Sequence, residues 1–155
     1  MGPLKSEDTL RKVARETLEG VFHANEWGVQ IPENMLYELL ECAKKNPRHK
    51  ARFCLHPGPE ETIQITYLAF YGPYADGIHK HPDKSETIIP ILGEAKYYEF
   101  DSDRIIQNSV NLNGTNPVAV TTTAGKLHGI ELISKSFVML EIGKGPFDKL
   151  STIYL

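Results

Sequence analysis

Apolar positions along this chain follow two rhythms, and the change between them falls near residue 50. Before it, Leu10, Val13, Ala14 and Thr17 recur at helical spacing, and Gly20 is a natural stop, so the pattern predicts a first helix there. Met35, Leu36, Leu39, Leu40 and Ala43 form a second stripe, with Glu38, Glu41 and Lys45 on other faces. This helix is expected to begin just after Ile31-Pro32, because proline costs little where the first amides have no partners. Asn46-Pro47 ends it, since the residue before proline is pushed away from helical angles. A stripe of this kind has to pack on something, and the outside of a sheet is the expected partner.

From Arg52 onward the period drops to two. Ile63-Gln64-Ile65-Thr66-Tyr67 alternates and is rich in β-branched residues, and Thr87 to Leu92, Ala95 to Phe100, Val118 to Thr123 and Phe137 to Ile142 also predict strands. Turn material separates them: Gly72-Pro73, Pro82-Asp83-Lys84, Leu92-Gly93, Asp101-Ser102-Asp103, Asn113-Gly114 and Gly143-Lys144-Gly145-Pro146. Short strands at close spacing without intervening helices indicate an antiparallel sandwich or barrel. The expectation is a mainly β chain forming one domain over 1–155, with a helical segment 1–50 packed on a β-barrel 51–150. Tyr67, Tyr97, Tyr98 and Phe100 are expected in the core and rim of that barrel.

Composition narrows the setting. With 41% hydrophobic and 24% charged residues, the 155-residue chain has the balance of an ordinary globular protein. The net charge is −3, and the densest basic stretch, Lys44 to Arg52, is flanked by Glu38, Glu41, Glu60 and Glu61, which argues against a nucleic-acid partner. Met1 to Glu7 is short and polar, unlike a secretory leader, and no apolar run approaches membrane-spanning length. Cys42 and Cys54 are the only cysteines, and nothing demands that they pair. A cytoplasmic protein with buried thiols is expected, with no membrane partner.

Three of the six histidines carry the candidate chemistry. His79 and His81 are one residue apart, so on a strand both imidazoles project to the same side. Pro82 to Ser85 is turn material, and a hairpin there swings the Glu86 carboxylate back towards them. Gly93 would close that second strand with another turn. A third imidazole comes from Gly125-Lys126-Leu127-His128, where Gly125 permits a tight turn with positive φ. A lone His-x-His pair is usually an accident of the surface. Joined to Glu86 and His128, it becomes a mixed N/O donor set suited to one divalent ion of Fe, Mn, Ni, Co or Zn, with positions left for water or substrate.

These residues resemble the cupin superfamily. His79-x-His81, Glu86 and Gly93 match the first cupin motif, with Gly72 as its upstream glycine, and Gly125-x-x-His128 matches the core of the second. Thr123 and Leu132 stand where that second motif often has proline and asparagine. The stretch from Pro32 through Asn46-Pro47-Arg48 to Arg52-x-Cys54-x-His56, and the ending Glu141-x-Gly-x-Gly145-Pro146-Phe147, are similar to the WbuC-like cupin fold metalloproteins. That group is associated with bacterial surface-polysaccharide gene clusters. The resemblance implies a double-stranded β-helix, or jelly-roll, barrel behind two N-terminal helices, a metal held by His79, His81, Glu86 and His128, and a sugar-related setting. Cupins often pair through barrel edges, which makes a homodimer the expected assembly.

Other residues keep two readings. Arg52 and His56 share a face if that segment is extended; they either grip a substrate or pair with surface carboxylates. Glu141, on a late strand, is either a general base, a partner for a ligand imidazole, or a solvated carboxylate. His23 and His49 sit in polar surroundings and are expected to be solvated. The functional expectation is a metal-dependent enzyme on a small oxygenated, sugar-like ligand, as an isomerase, epimerase or dioxygenase. The alternative is a binding or sensing module that turns nothing over and whose metal is structural.

Overall fold

Strands dominate the computed structural model, which describes residues 9–116 and 118–155. The polar stretch Met1 to Glu7 lies outside them. The predicted first helix is a single turn, α1 (Leu10–Val13), after which the chain becomes β1 (Ala14–Leu18). Gly20, at φ 75°, turns β1 into the antiparallel β2 (Val21–Ala24) rather than stopping a helix. Only Leu10 and Ala14 of the presumed apolar stripe are buried, which is too little to hold a longer helix on the core, so strand pairing overrides the helical spacing.

The second helix, α2 (Glu33–Lys45), forms as its stripe predicts and ends at Asn46, whose ψ of 135° is extended as a residue before proline prefers. It connects β2 to β3 (Lys50–Cys54), and the two strands run parallel. Parallel neighbours need a long crossover, and α2 supplies it. Met35, Leu36, Leu39, Leu40 and Ala43 pack with Phe22, Ala51, Phe53, Ala69 and Val138 on one side of the sheet. Because Ala51 and Phe53 face the helix, Lys50, Arg52 and Cys54 face the other way, into the fold.

That inner face is completed by β4 (Ile63–Tyr71), β5 (His79–Lys80), β6 (Glu86–Phe100), β7 (Ile106–Asn113), β8 (Val120–Thr122) and β9 (Leu127–Lys144). The long strand β9 is the spine. Its second half lies between β4 and β6, while its first half lies between β5 and β6. Leu68, Phe70, Ile88, Tyr97, Leu112, Ile130, Phe137 and Met139 form the second apolar core. Of the four aromatic residues expected there, Tyr97 is wholly buried, Tyr67 packs instead against the helix-side core, and Tyr98 and Phe100 are partly buried. A short strand β10 (Ile153–Tyr154) pairs with β5. No helix among the described residues is long and apolar enough to cross a membrane.

Gly93 departs from its predicted turn. Both flanking segments belong to one strand, β6, and the register against β9 slips on either side of Gly93. Its φ is 77°, and a Cβ there would lie 2.1 Å from the Ser136 carbonyl oxygen. The glycine therefore bends a continuous strand at a bulge rather than ending it. Gly93→Ala is expected to cost at least about 2 kcal/mol, since left-handed backbone alone costs an alanine roughly 1–2 kcal/mol. A urea midpoint unchanged from wild type would contradict this role.

Candidate metal centre

The register of β5 against β9 pairs His79 with His128, joining residues 49 positions apart in sequence. His81 follows β5, the chain turns at Pro82-Asp83, and Glu86 opens β6. Gly125, at φ 81°, lets the chain approach β9, and its amide donates to the His81 carbonyl at 2.7 Å. One ring nitrogen from each of His79, His81 and His128 then lies within 4.8 Å of the others. All three imidazoles and Glu86 are buried.

Each imidazole is oriented by the same device. Nδ1 of His79 lies 2.7 Å from the Gly77 carbonyl, Nδ1 of His128 lies 2.8 Å from the Lys126 carbonyl, and Nδ1 of His81 lies 3.2 Å from both the Ser151 carbonyl and the Thr152 hydroxyl. A ring that donates its Nδ1 proton to a carbonyl keeps the Nε2 lone pair free for an ion, the arrangement typical of ligating histidines. Glu86 lies 3.2 Å from Nε2 of His81 and 3.0 Å from the Lys84 ammonium. Thr122 anchors it from below, accepting the Glu86 amide at 3.1 Å.

The charges follow from these contacts. Burial holds the His79 and His128 pKa values down, so both are neutral at physiological pH. Burial also opposes a charge on His81, but the hydrogen bond and charge of Glu86 outweigh it and raise the pKa. For Glu86, burial is likewise the largest influence and pushes upward, yet His81 and Lys84 together bring the carboxyl down to about 2.

A small cavity of about 20 Å³ adjoins the imidazoles and is lined by Asp76, His79, Ile88, His128, Met139 and Glu141 among others. Glu141 points into it from β9, not out to solvent. Burial first, and then the Glu86 charge, raise its pKa, against the pull of Arg52, Lys50 and Lys84. Arg52 faces the interior from β3, although neither it nor His56 lines the cavity wall. His56 instead packs with His23 and Cys54. His23 is buried and bonded to the Thr17 hydroxyl at 2.9 Å, which corrects its expected solvation; His49 reaches the Tyr71 carbonyl at 3.1 Å.

Sequence reasoning missed Lys50. Its ammonium sits over the Phe70 ring at 5.2 Å, and burial, followed by repulsion from Arg52, lowers its pKa to about 8 despite Asp76 and Glu141. The signal was present in the alternation Lys50-Ala51-Arg52-Phe53-Cys54, once the apolar pair is assigned to the helix side. Reading the stretch as a surface charge cluster hid it.

An interior flanked by paired strands, with three imidazoles and a carboxylate grouped beside it, has the arrangement of the cupin fold, and solved structures share that fold. The capsular polysaccharide assembling protein CapF from Staphylococcus aureus matches over 71% of this chain and 32% of its own, at 18% identity and a TM-score of 0.60. Oxalate decarboxylase from Lactobacillus farciminis, in a formate complex, matches over 72% and 32%, at 20% identity and a TM-score of 0.56. The Bacillus subtilis oxalate decarboxylase, described with Mn(II) centres, matches over 61% and 24%, at 23% identity and a TM-score of 0.52. The chain thus spans about a third of the length of CapF. By sequence it belongs to the family described as Domain of unknown function (DUF6016), which matches residues 31–112. No curated protein sequence matches it.

Proposed function

We propose that His79, His81, Glu86 and His128 hold one divalent metal ion, and that the protein is a metal-dependent enzyme acting on a small, oxygenated and anionic ligand of sugar-like chemistry. The observation that carries this reading is the convergence of three Nδ1-anchored imidazoles beside a buried carboxylate, with His79 and His128 lining a cavity that Glu141 also lines. The donor set fits such an ion, because neutral imidazole nitrogens and a carboxylate suit Fe, Mn, Co, Ni and Zn alike. Bound there, the ion would act as a Lewis acid towards a carbonyl or hydroxyl oxygen.

The chain's own groups supply the rest. Arg52 and Lys50 face the same interior from β3, and their charges act on Glu141. They are suited to hold an anionic group such as a carboxylate. Glu141, with its pKa raised, takes a proton from a carbon or hydroxyl of the held ligand and returns it at a neighbouring atom, which is isomerase or epimerase chemistry. The cavity admits only a few atoms, so the reactive end of the ligand enters and the remainder stays outside. His56 is engaged with His23 and Cys54 and has no part in this step.

The fold shared with CapF, a capsular polysaccharide assembling protein, and the resemblance to WbuC-like cupins over roughly residues 31 to 150 both support a sugar-related setting. The same reading takes residues 1–155 as one cytoplasmic cupin unit that pairs as a homodimer through its sheet edges.

A panel of uronic acids and nucleotide sugars, tested by calorimetry for binding and by NMR for turnover, examines this reading. Binding is expected to require metal and to weaken in Arg52→Ala. Turnover is expected to fall by roughly 10²–10⁴ in Glu141→Gln while binding is kept, the usual scale for a general base. Turnover that survives in His81→Ala would overturn the enzyme reading. Ligand binding without turnover, persisting in metal-stripped folded protein, would favour a sensing module with a structural metal.

A further inference from the structure

Across the inner face from the imidazole triad lies a second cluster of potential ligands. His23 on β2 and Cys54 on β3 are register partners in the parallel pair, and His56 follows two residues beyond Cys54. One donor atom from each lies within 4.8 Å of the other two, and all three residues are buried. We propose that His23, Cys54 and His56 form a second metal site, of the borderline-soft kind that takes Zn(II), separate from the His79–His81–His128 centre.

One of the two rings is already oriented for it. Nδ1 of His23 lies 2.9 Å from the Thr17 hydroxyl, which leaves its Nε2 free to face the cluster. Nδ1 of His56 accepts the Ile65 amide at 3.0 Å and lies 3.1 Å from the Ile65 carbonyl oxygen. Ligation through Nε2 calls for the tautomer that carries its proton on Nδ1, donated to that carbonyl in place of the amide contact. The two imidazoles meet edge to face at 5.6 Å between centroids. Thr66 donates its hydroxyl weakly to the Cys54 sulfur at 3.8 Å.

Chemistry separates the two sites. The first offers only nitrogen and oxygen, while the second includes a thiol, whose thiolate favours Zn(II) and Co(II) over hard ions such as Mn(II). Binding would release the Cys54 proton to solvent, leaving a thiolate and two neutral imidazoles on the ion. A fourth position is open to water or to the carboxylate of Glu60, whose charge acts on both imidazoles. Cys54 pairs with Thr66, and Thr66 with Glu141, so the cluster stands two strands, roughly 10 Å, from the catalytic carboxylate. An ion there would pin β2 to β3 and to the loop that follows. It would be a clamp on the sheet rather than part of the reacting centre.

Cobalt substitution reads this site directly, because only a sulfur ligand gives a thiolate-to-cobalt charge-transfer band. Full-length protein titrated with Co(II) is expected to bind two equivalents and to show that band. The His79→Ala/His128→Ala variant should bind one and keep it. Cys54→Ser should bind one and lose it, whereas Cys42→Ser keeps both equivalents and the band. His23→Gln, a milder change at a group that is not the sulfur donor, should weaken binding at the band by at least about tenfold. Far-UV circular dichroism confirms that each variant is folded. A wild-type protein that saturates without the band, or a band that survives Cys54→Ser, overturns the proposal. Neither result would bear on the sulfur-free centre.

Discussion

Replacing His79 and His128 together by alanine is expected to abolish Mn(II) binding, with affinity falling by more than about 100-fold, beyond what loss of a supporting partner costs. The two residues are paired across β5 and β9, and their rings lie 4.3 Å apart between centroids. Removing both leaves His81 and Glu86, which already satisfy one another at 3.2 Å. A titration followed by the EPR signal of free Mn(II) measures the change, and Mn(II) is the right probe because it discriminates against thiolate sites. Linkage gives an independent readout. An ion at 100 times its Kd adds about 2.7 kcal/mol to the native state, so Mn(II) should raise the melting temperature of the wild type and leave the variant unmoved. Equal Mn(II) binding by the folded variant would sink the site.

Phe70→Ala is expected to cost about 3–5 kcal/mol of stability, the range for removing a fully buried phenylalanine. Phe70 has no exposed surface and is in ring contact with Tyr74 at 4.9 Å and Phe137 at 6.2 Å. Its face also carries the Lys50 ammonium at 5.2 Å, so the cavity left behind would undercut one of the interior cations as well as the apolar core. Phe137 is held in the β4–β9 register opposite Phe70, which limits collapse into the space. Urea denaturation measures the loss, and Phe70→Leu should recover more than half of it. A loss below about 1 kcal/mol would mean that the inner core is far looser than its burial indicates.

How much of this was legible in the sequence depends on whether the signal was local. The stripe from Met35 to Ala43 is regular over about two and a half turns, so α2 could be read closely, and its Asn46-Pro47 end follows from backbone sterics. His79, His81, the Pro82-Asp83 turn and Glu86 also lie within one short stretch, so their grouping was readable from strand alternation. His128 could be named from its Gly125 turn and the motif resemblance, but its pairing with His79 is long-range and leaves no local signal. The β1–β2 hairpin was misread because four positions at helical spacing are too few to outweigh pairing with a neighbour the sequence does not reveal. β7 was missed because Ile106 to Asn113 is mostly polar and exposed on both faces, leaving no alternation to detect. Gly93 looked like a turn because a bulge and a turn use the same residue for the same positive φ. His23 and Lys50 were hidden by a subtler cause: a polar residue in a short strand reads as surface until the opposite face is known to be occupied.

The Nδ1 contact of His81 with Ser151 has a consequence for how the centre comes into being. The three imidazoles are brought together by strands 49 residues apart, and the orientation of His81 depends on a carbonyl 70 residues downstream of it. Contacts of such sequence separation carry a large loop-closure cost and are made late on a folding route. No fragment of the chain that lacks either end of these contacts presents the converged site, and an unfolded chain does not present it at all. An ion held there would therefore stabilise the finished protein alone, and its capture would mark the last stage of folding rather than a seed around which folding begins.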